Sequence, residues 1–209
     1  MPGWTKLYQD RTTTPEQAVR VIKSGQRVFL TGNCSVPQKV MAALVNYAPE
    51  VQAVEIVQVL TIGDAAYVQP GMEQHLRVNT LFISDNVRAA VNAGRADFTP
   101  MFLSEIPRVF RKELPVDVAL IHVSPPDEHG YCSFGIEVGV TKTAAQAAKI
   151  VIAEVNRQMP CTLGGTPVTM DKLLGLVNVG TTQSATMAVP CCSTSFIQGI
   201  WPLATAWAR

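Results

Sequence analysis

Short apolar runs recur along the first 160 residues and predict buried strands. They lie at residues 27–31, 53–60, 80–84, 116–123 and 150–155. The run 116–123 (VDVALIHV) has no polar face. Strands that are apolar throughout are covered on both sides, which is typical of parallel sheets.

Helical patterns separate these runs. Thr14 and Gln17 form a capping box that starts one helix. A second helix is predicted at 38–47 with Ser35 as its N-cap, and another at 103–112. Because strands and helices alternate, we predict an α/β fold with an open, mostly parallel sheet flanked by helices.

The last part of the chain has a different composition. No charged side chain occurs between Leu173 and Ala208. Two interpretations stay open: a buried terminal strand and helix, or a segment that was not selected together with the rest of the fold. We therefore divide the chain into a domain at 1–172 and an atypical, uncharged tail at 173–209, which is not expected to belong to the same fold.

The net charge and composition argue against two classes of partner, nucleic acid and membranes. The net charge is +1, which offers no basic surface for nucleic acid or an anionic membrane. No apolar run reaches the roughly 18 residues that a membrane-spanning helix needs. The five cysteines are odd in number and irregularly spaced, as in a reducing compartment. With no basic and apolar leader after Met1, these features predict a cytoplasmic protein.

The turn at 32–37 (GNCSVP) is the first candidate site, since it joins a predicted strand to a predicted helix. Unpaired N–H groups and the helix dipole favour an anionic ligand there. The candidate ligand-binding residues are Gly32, Asn33, Ser35 and Pro37. The alternative is a tight turn with a serine cap. The turn lacks the G-x-G-x-x-G pattern of dinucleotide-binding folds, which argues against NAD.

The loop at 124–135 (SPPDEHGYCSFG) is the second candidate, because it follows the predicted strand 116–123. Its density of titratable groups on a proline-stiffened loop suits the positioning of a small polar substrate. The candidates are Ser124, Pro125, Asp127, His129 and Tyr131. Alternatively, Asp127 and His129 hold the shape of the loop by hydrogen bonds to its backbone.

Three more specific chemistries suit this loop less well than a structural role does. Cys132 and His129 could form a nucleophile pair, and Glu128 could be a carboxylate nucleophile. A zinc site would need His122, His129, Cys132 and Cys161, whose spacing matches no standard pattern. No residue is assigned as a metal ligand.

Four stretches resemble one known family. They are 94–100 (GRADFTP), 117–121 (DVALI), 124–135 and 151–156 (VIAEVN). Together they resemble the amino-terminal domain of the acetyl-CoA hydrolase/transferase family, which includes acetate and 4-hydroxybutyrate CoA-transferases. The resemblance covers about residues 4–165 and is most specific in the loop at 124–135.

The resemblance implies an acyl-CoA:carboxylate CoA-transferase in which coenzyme A or acyl-CoA is a substrate and no cofactor is tightly bound. It implies that a glutamate of a second domain attacks the thioester, while the amino-terminal domain supplies one side of the cleft. None of the nine glutamates here lies in a stretch that matches the family's catalytic one. We therefore assign no catalytic residue and expect the chain alone to be inactive.

The expected partners are an acyl-CoA, a short-chain carboxylate, and the missing second domain or a sister subunit, with a homo-oligomer possible. Three alternatives remain. The chain could be a truncated, non-catalytic protein that binds acyl-CoA or another subunit. It could belong to an acetyl-CoA hydrolase, a thioesterase. From outside the family, it could be a hydrolase that uses Cys132.

Overall fold

The computed structural model describes residues 3–179, and eight parallel strands form its main sheet. The spatial order is β1-β10-β8-β6-β2-β3-β4-β5. The separate strands β7 and β9 pair in antiparallel fashion. The bounds are β1 Thr12–Thr13, β2 Arg27–Leu30, β3 Val54–Gln58, β4 Leu76–Thr80, β5 Asp97–Phe98, β6 Val118–Val123, β7 Tyr131–Ser133, β8 Ile150–Asn156, β9 Pro167–Thr169 and β10 Gly175–Val179. The predicted open, mostly parallel sheet is confirmed.

Six α-helices connect or flank the strands within residues 3–179. They are α1 Gly3–Arg11, α2 Pro15–Ala18, α3 Gln38–Tyr47, α4 Asp85–Asn92, α5 Ile106–Val109 and α6 Thr141–Ala147. Helix α2 begins as predicted, since the N–H of Gln17 donates to the Thr14 hydroxyl at 3.3 Å. The prediction of Ser35 as the cap of α3 was wrong, because Pro37 occupies that position and offers no side-chain acceptor.

Two hydrophobic cores lie on opposite faces of the sheet. Val28 of β2 and Leu120 of β6 belong to the core beneath α2, α3 and α4. Their neighbours Phe29 and Ile121 belong to the core that also contains residues of α5 and α6. Successive side chains of a strand point to opposite faces. The sequences of these central strands are mostly apolar because both faces are buried.

Strand β10 lies within the residues assigned to the atypical tail. It is inserted between β1 and β8, and its Leu176 and Val177 are buried. Residues 180–209 lie outside the described part of the chain, so the prediction of a separate tail there remains a prediction. Among the described residues, no helix is long and apolar enough to cross a membrane.

Candidate functional site

The order in which the chain adds strands to the sheet reverses at β2. From β2 the chain adds β3, β4 and β5 on one side, then crosses back to place β6 on the other side. Ligands of open α/β sheets bind beyond the carboxyl ends of the strands at such a switch point. Both sequence-predicted segments follow these strands, the turn 32–37 after β2 and the loop 124–135 after β6.

Gly32 is fixed by a close approach of two backbone segments. The N–H of Asn33 donates to the carbonyl of Leu60 at 2.6 Å, and Asn33 forms an isolated parallel bridge with Thr61. A Cβ atom on Gly32 would lie 2.2 Å from the Leu60 oxygen. Only glycine fits there, so the residue type follows from packing.

Asn33 holds a backbone conformation that side-chain-bearing residues rarely adopt, with φ of 51°. Its side-chain amide donates to the carboxylate of Glu137. A strained residue of this kind persists where several contacts determine it, and such residues often occur at functional sites. The turn is therefore held in one defined geometry.

A cavity of about 630 Å³ opens beside this turn. Most of its lining is apolar, and its polar side chains are Asn33, Glu137 and Thr141. The apolar side chains are Phe29, Val59, Leu60, Phe82, Leu103, Ile136, Val138 and Val140. An apolar pocket with a few convergent polar groups suits a small organic ligand. Glu137 is the one charged residue of this lining.

Ser35 and Pro37 do not line this cavity, although both are buried. Behind the turn, the carboxylate of Glu154 accepts the N–H groups of Lys39 at 2.9 Å and Val40 at 3.0 Å. The helix N-terminus that was expected to attract an anionic ligand therefore already binds a carboxyl group of the same chain.

Burial changes the titration of two neighbours behind the turn. Burial raises the pKa of Glu154 to about 7, although the two N–H donors and Lys39 act in the opposite direction. Burial also lowers the pKa of His122 to about 4, which a backbone contact with Ser35 partly opposes. His122 and Glu154 are register partners on β6 and β8. Neither His122 ring nitrogen has a partner of good hydrogen-bond geometry within the described residues.

The loop after β6 is held by its own contacts. One carboxylate oxygen of Asp127 accepts the N–H groups of His129 and Tyr131, both at 2.9 Å. The indole of Trp4 donates to the carbonyl of Glu128 at 3.1 Å. Gly130, with φ of 84°, packs against the Trp4 ring, where a Cβ atom would lie 2.6 Å away. These contacts are those expected of a shape-holding role.

None of the predicted loop residues lines the 630 Å³ cavity. Ser124 is buried, and its hydroxyl accepts the N–H of Ser133 at 2.9 Å. His129 and Tyr131 are exposed. The structure thus brings Gly32 and Asn33 together at the cavity, while Ser124, Pro125, Asp127, His129 and Tyr131 form a separate rigid loop at the same edge of the sheet.

The nucleophile and metal hypotheses can be compared with the geometry. Burial raises the pKa of Cys132 to about 12, so its thiol is protonated at neutral pH and a poor nucleophile. Glu128 is exposed and lies 3.5 Å from the His129 ring. Among residues 3–179, no group of three or more His, Cys, Asp or Glu side chains is arranged to hold a metal ion.

Two glutamates at this edge were not predicted as site residues. Glu137 contacts Asn33 across 104 residues of sequence, and Glu154 reaches Lys39 across 115. No local motif marks either pairing. The position of Glu154 near the end of an otherwise apolar strand was the only signal in the sequence, because a buried carboxylate requires a partner.

Comparison with known proteins gives consistent relatives. The sequence-family model of the acetyl-CoA hydrolase/transferase N-terminal domain matches residues 4–174. The 4-hydroxybutyrate coenzyme A transferase of Clostridium kluyveri is 46% identical over 162 residues, which are 77% of this chain and 38% of that protein. The succinyl-CoA:acetate/propanoyl-CoA:succinate CoA transferase of Fasciola hepatica is 39% identical over 176 residues, which are 83% of this chain and 36% of that protein.

The fold is also similar to a solved structure, RipA from Yersinia pestis. The TM-score is 0.80 at 24% identity, and the match covers 86% of this chain and 44% of RipA. At that identity the likeness concerns the fold alone. The chain spans less than two-fifths of the length of the two curated relatives.

Proposed function

Because the chain belongs to the acetyl-CoA hydrolase/transferase family, we propose that it forms the amino-terminal side of an acyl-CoA:carboxylate CoA-transferase site. The observation that carries this proposal is the 630 Å³ cavity at the switch point of the sheet, beside Gly32 and Asn33. The names of both relatives, a 4-hydroxybutyrate and a succinyl-CoA:acetate transferase, support short-chain carboxylates as the substrate class.

The cavity lining favours the acyl end of the substrate over its phosphates. Eight of the lining side chains are apolar, which suits a short acyl chain. The charged lining residue is Glu137, a carboxylate that would repel phosphate groups. We therefore assign the acyl group to this cavity and the nucleotide part of coenzyme A to surfaces farther away.

Catalysis requires a glutamate that this chain is proposed to receive from elsewhere. In the family mechanism the carboxylate attacks the thioester carbonyl, which yields an acyl-glutamyl anhydride and a CoA thiolate. The thiolate then attacks the glutamyl carbonyl, which releases the first carboxylate and leaves a glutamyl-CoA thioester. Glu137, bound to Asn33, is held in place as a hydrogen-bond acceptor. The proposal therefore includes inactivity of the chain alone.

Exposed apolar residues in the cavity lining and in the segments at the ends of β3 and β5 support docking of a second domain or sister subunit. Phe102 is 76% exposed and Leu103 is 59% exposed. We call the following set the apolar rim: Ile62, Phe82, Phe98, Phe102, Leu103 and Ile136. A large exposed apolar patch beside a cleft is typical of an interaction surface. A cytoplasmic location, predicted from the cysteine pattern, belongs to the same proposal.

Complementation tests this function. The chain alone should show no acetate-dependent exchange of CoA between acyl-CoA and carboxylate. Addition of the separately expressed second domain of a relative should produce turnover, and replacement of that domain's attacking glutamate by glutamine should abolish it. Turnover by the chain alone, or none after complementation by an active, folded domain, would contradict the proposal.

The same assay without a carboxylate acceptor distinguishes the hydrolase alternative, which the family name includes. Release of free CoA at the same rate with and without acetate would indicate hydrolysis. Binding of acetyl-CoA measured by calorimetry, without turnover in any mixture, would favour a non-catalytic binding protein.

A further inference from the structure

Helix α3 begins without a cap from its own sequence. Pro37 precedes it, and neither a capping side chain nor an acidic residue occurs in its first turn. The N–H groups of Lys39 and Val40 are accepted instead by one carboxylate oxygen of Glu154, at 2.9 and 3.0 Å. This external carboxylate takes the role that a capping residue usually plays.

The location of Glu154 makes this contact a long-range one. Glu154 lies on β8, whereas α3 follows β2, and β6 separates the two strands in the sheet. One carboxylate therefore ties the start of α3 to the half of the sheet on the far side of the switch point. Its register partners are His122 on β6 and Val177 on β10.

The turn at 32–37 is consequently fixed at both ends. At its beginning, Asn33 donates to the Leu60 carbonyl at 2.6 Å. At its end, Glu154 holds the first N–H groups of α3. Between these ends, the N–H of Ser35 donates to the Gly32 carbonyl at 3.0 Å. A shift of the helix start would therefore be transmitted to Gly32 and Asn33, which line the cavity.

We propose that Glu154 is a positioning residue, whose carboxylate holds the start of helix α3 so that Gly32 and Asn33 keep their places in the cavity lining. The relevance to acyl-CoA rests on the proposed function, but the positioning itself can be tested without substrate.

Ionisation of Glu154 lowers the stability of the whole domain but strengthens the hydrogen bonds that hold the start of α3. Glu154 is only 3% exposed, and the titratable groups near it are Lys39 and His122. Its folded pKa of about 7 lies above the ordinary value. A raised folded pKa means that its contribution to stability is present at low pH and is lost as the pH rises through about 7. The ionised carboxylate is nevertheless the better acceptor for Lys39 and Val40.

This opposition gives a signature that a purely structural residue would not show. In the wild-type chain, the Glu154 carboxyl group is mostly neutral at about pH 6 and mostly ionised at about pH 8. After correction for intrinsic exchange, hydrogen-exchange protection of the Lys39 and Val40 amides should rise over this interval. The Glu154→Gln variant should lack that rise and should exchange about fivefold to tenfold faster at these two amides near pH 8.

Glu55→Gln is the matched control. Glu55 is also a strand carboxylate with hydrogen-bond partners, Arg27 at 2.7 Å and Asn79 at 2.9 Å, but it lies on β3 and neither partner belongs to α3. Its replacement should leave protection at Lys39 and Val40 unchanged. Equal protection in Glu154→Gln and wild type near pH 8, or an equal loss in Glu55→Gln, would overturn the proposal.

Calorimetry with acetyl-CoA near pH 8 tests whether the effect reaches the cavity. Glu154→Gln should weaken binding several-fold, and Glu55→Gln should not. Faster exchange with unchanged acetyl-CoA affinity would show that the lining does not depend on Glu154 and would overturn the inference. If the wild-type chain fails to bind acetyl-CoA, the proposed function is contradicted, and the exchange experiment still decides the positioning role.

Discussion

Gly32 shows how a single residue can be essential for a reason that its motif does not state. The sequence identified this glycine through its place between a strand and a helix, where free N–H groups bind anions. The structure gives a steric reason, since the Leu60 carbonyl occupies the space where a side chain would start. Sequence analysis found the position and missed the cause, because the contact joins two segments that are not neighbours in sequence.

Gly32→Ala should therefore destabilise the domain. The added Cβ atom would lie 2.2 Å from a backbone oxygen, which cannot move without disturbing the contact between Asn33 and Leu60. Overpacking of this kind costs about 1–3 kcal/mol, which urea unfolding would measure. Gly3→Ala is the control, since nothing lies within 4 Å of a Cβ atom there. Equal unfolding midpoints for the two variants would refute the steric explanation.

At the scale of the element, the loop after β6 combines a distinctive sequence with a self-contained structure. Asp127 accepts two N–H groups of the loop, and Trp4 of α1 packs on Gly130 from outside. Hydrogen bonds from the Tyr131 and His129 backbone hold the pKa of Asp127 below its ordinary value. The loop is thus a rigid part of the sheet edge, whether or not it contacts a ligand.

Asp127→Ala should loosen this loop without unfolding the domain. Loss of one acceptor for two N–H groups should cost about 1 kcal/mol and speed amide exchange at His129 and Tyr131. Because the folded pKa of Asp127 is lowered, acid should mimic the mutation as the pH falls below the ordinary carboxyl range. Asp85→Ala, which removes only a bond to Arg88 within one exposed helix turn, should change neither amide.

The helices and strands that a continuous local pattern marks were predictable, whereas contacts between distant segments were not. The run 116–123 became β6 and 150–155 became β8, because burial on both faces requires continuous apolar residues. The helix predicted at 103–112 is shorter in the structure, where α5 covers Ile106–Val109. The contacts of Glu137 and Glu154 could not be inferred, since the order of strands in the sheet is not written in any local pattern.

The whole molecule has one edge of the sheet that is unlike the rest. The cavity, the strained Asn33 and the apolar rim all lie near the carboxyl ends of the strands around the switch point. Single exposed apolar residues are ordinary on protein surfaces, but three of the rim residues line the cavity itself, and an apolar patch beside a cleft is typical of an interaction surface. The chain spans less than two-fifths of the length of the two curated relatives, and a second domain or sister subunit is the partner that we propose for this surface.

The apolar rim should therefore cause self-association when no second domain is present. Replacement of Phe102 and Leu103 by serine removes two of its most exposed side chains, 76% and 59% exposed, and should shift the sedimentation profile towards the monomer. Leu163→Ser is the control, because Leu163 is 91% exposed but belongs neither to the cavity lining nor to the apolar rim. An equal shift with Leu163→Ser would mean that general hydrophobicity, and not the rim, drives association. The double variant should also weaken complementation by the second domain, because the same rim is proposed to receive it.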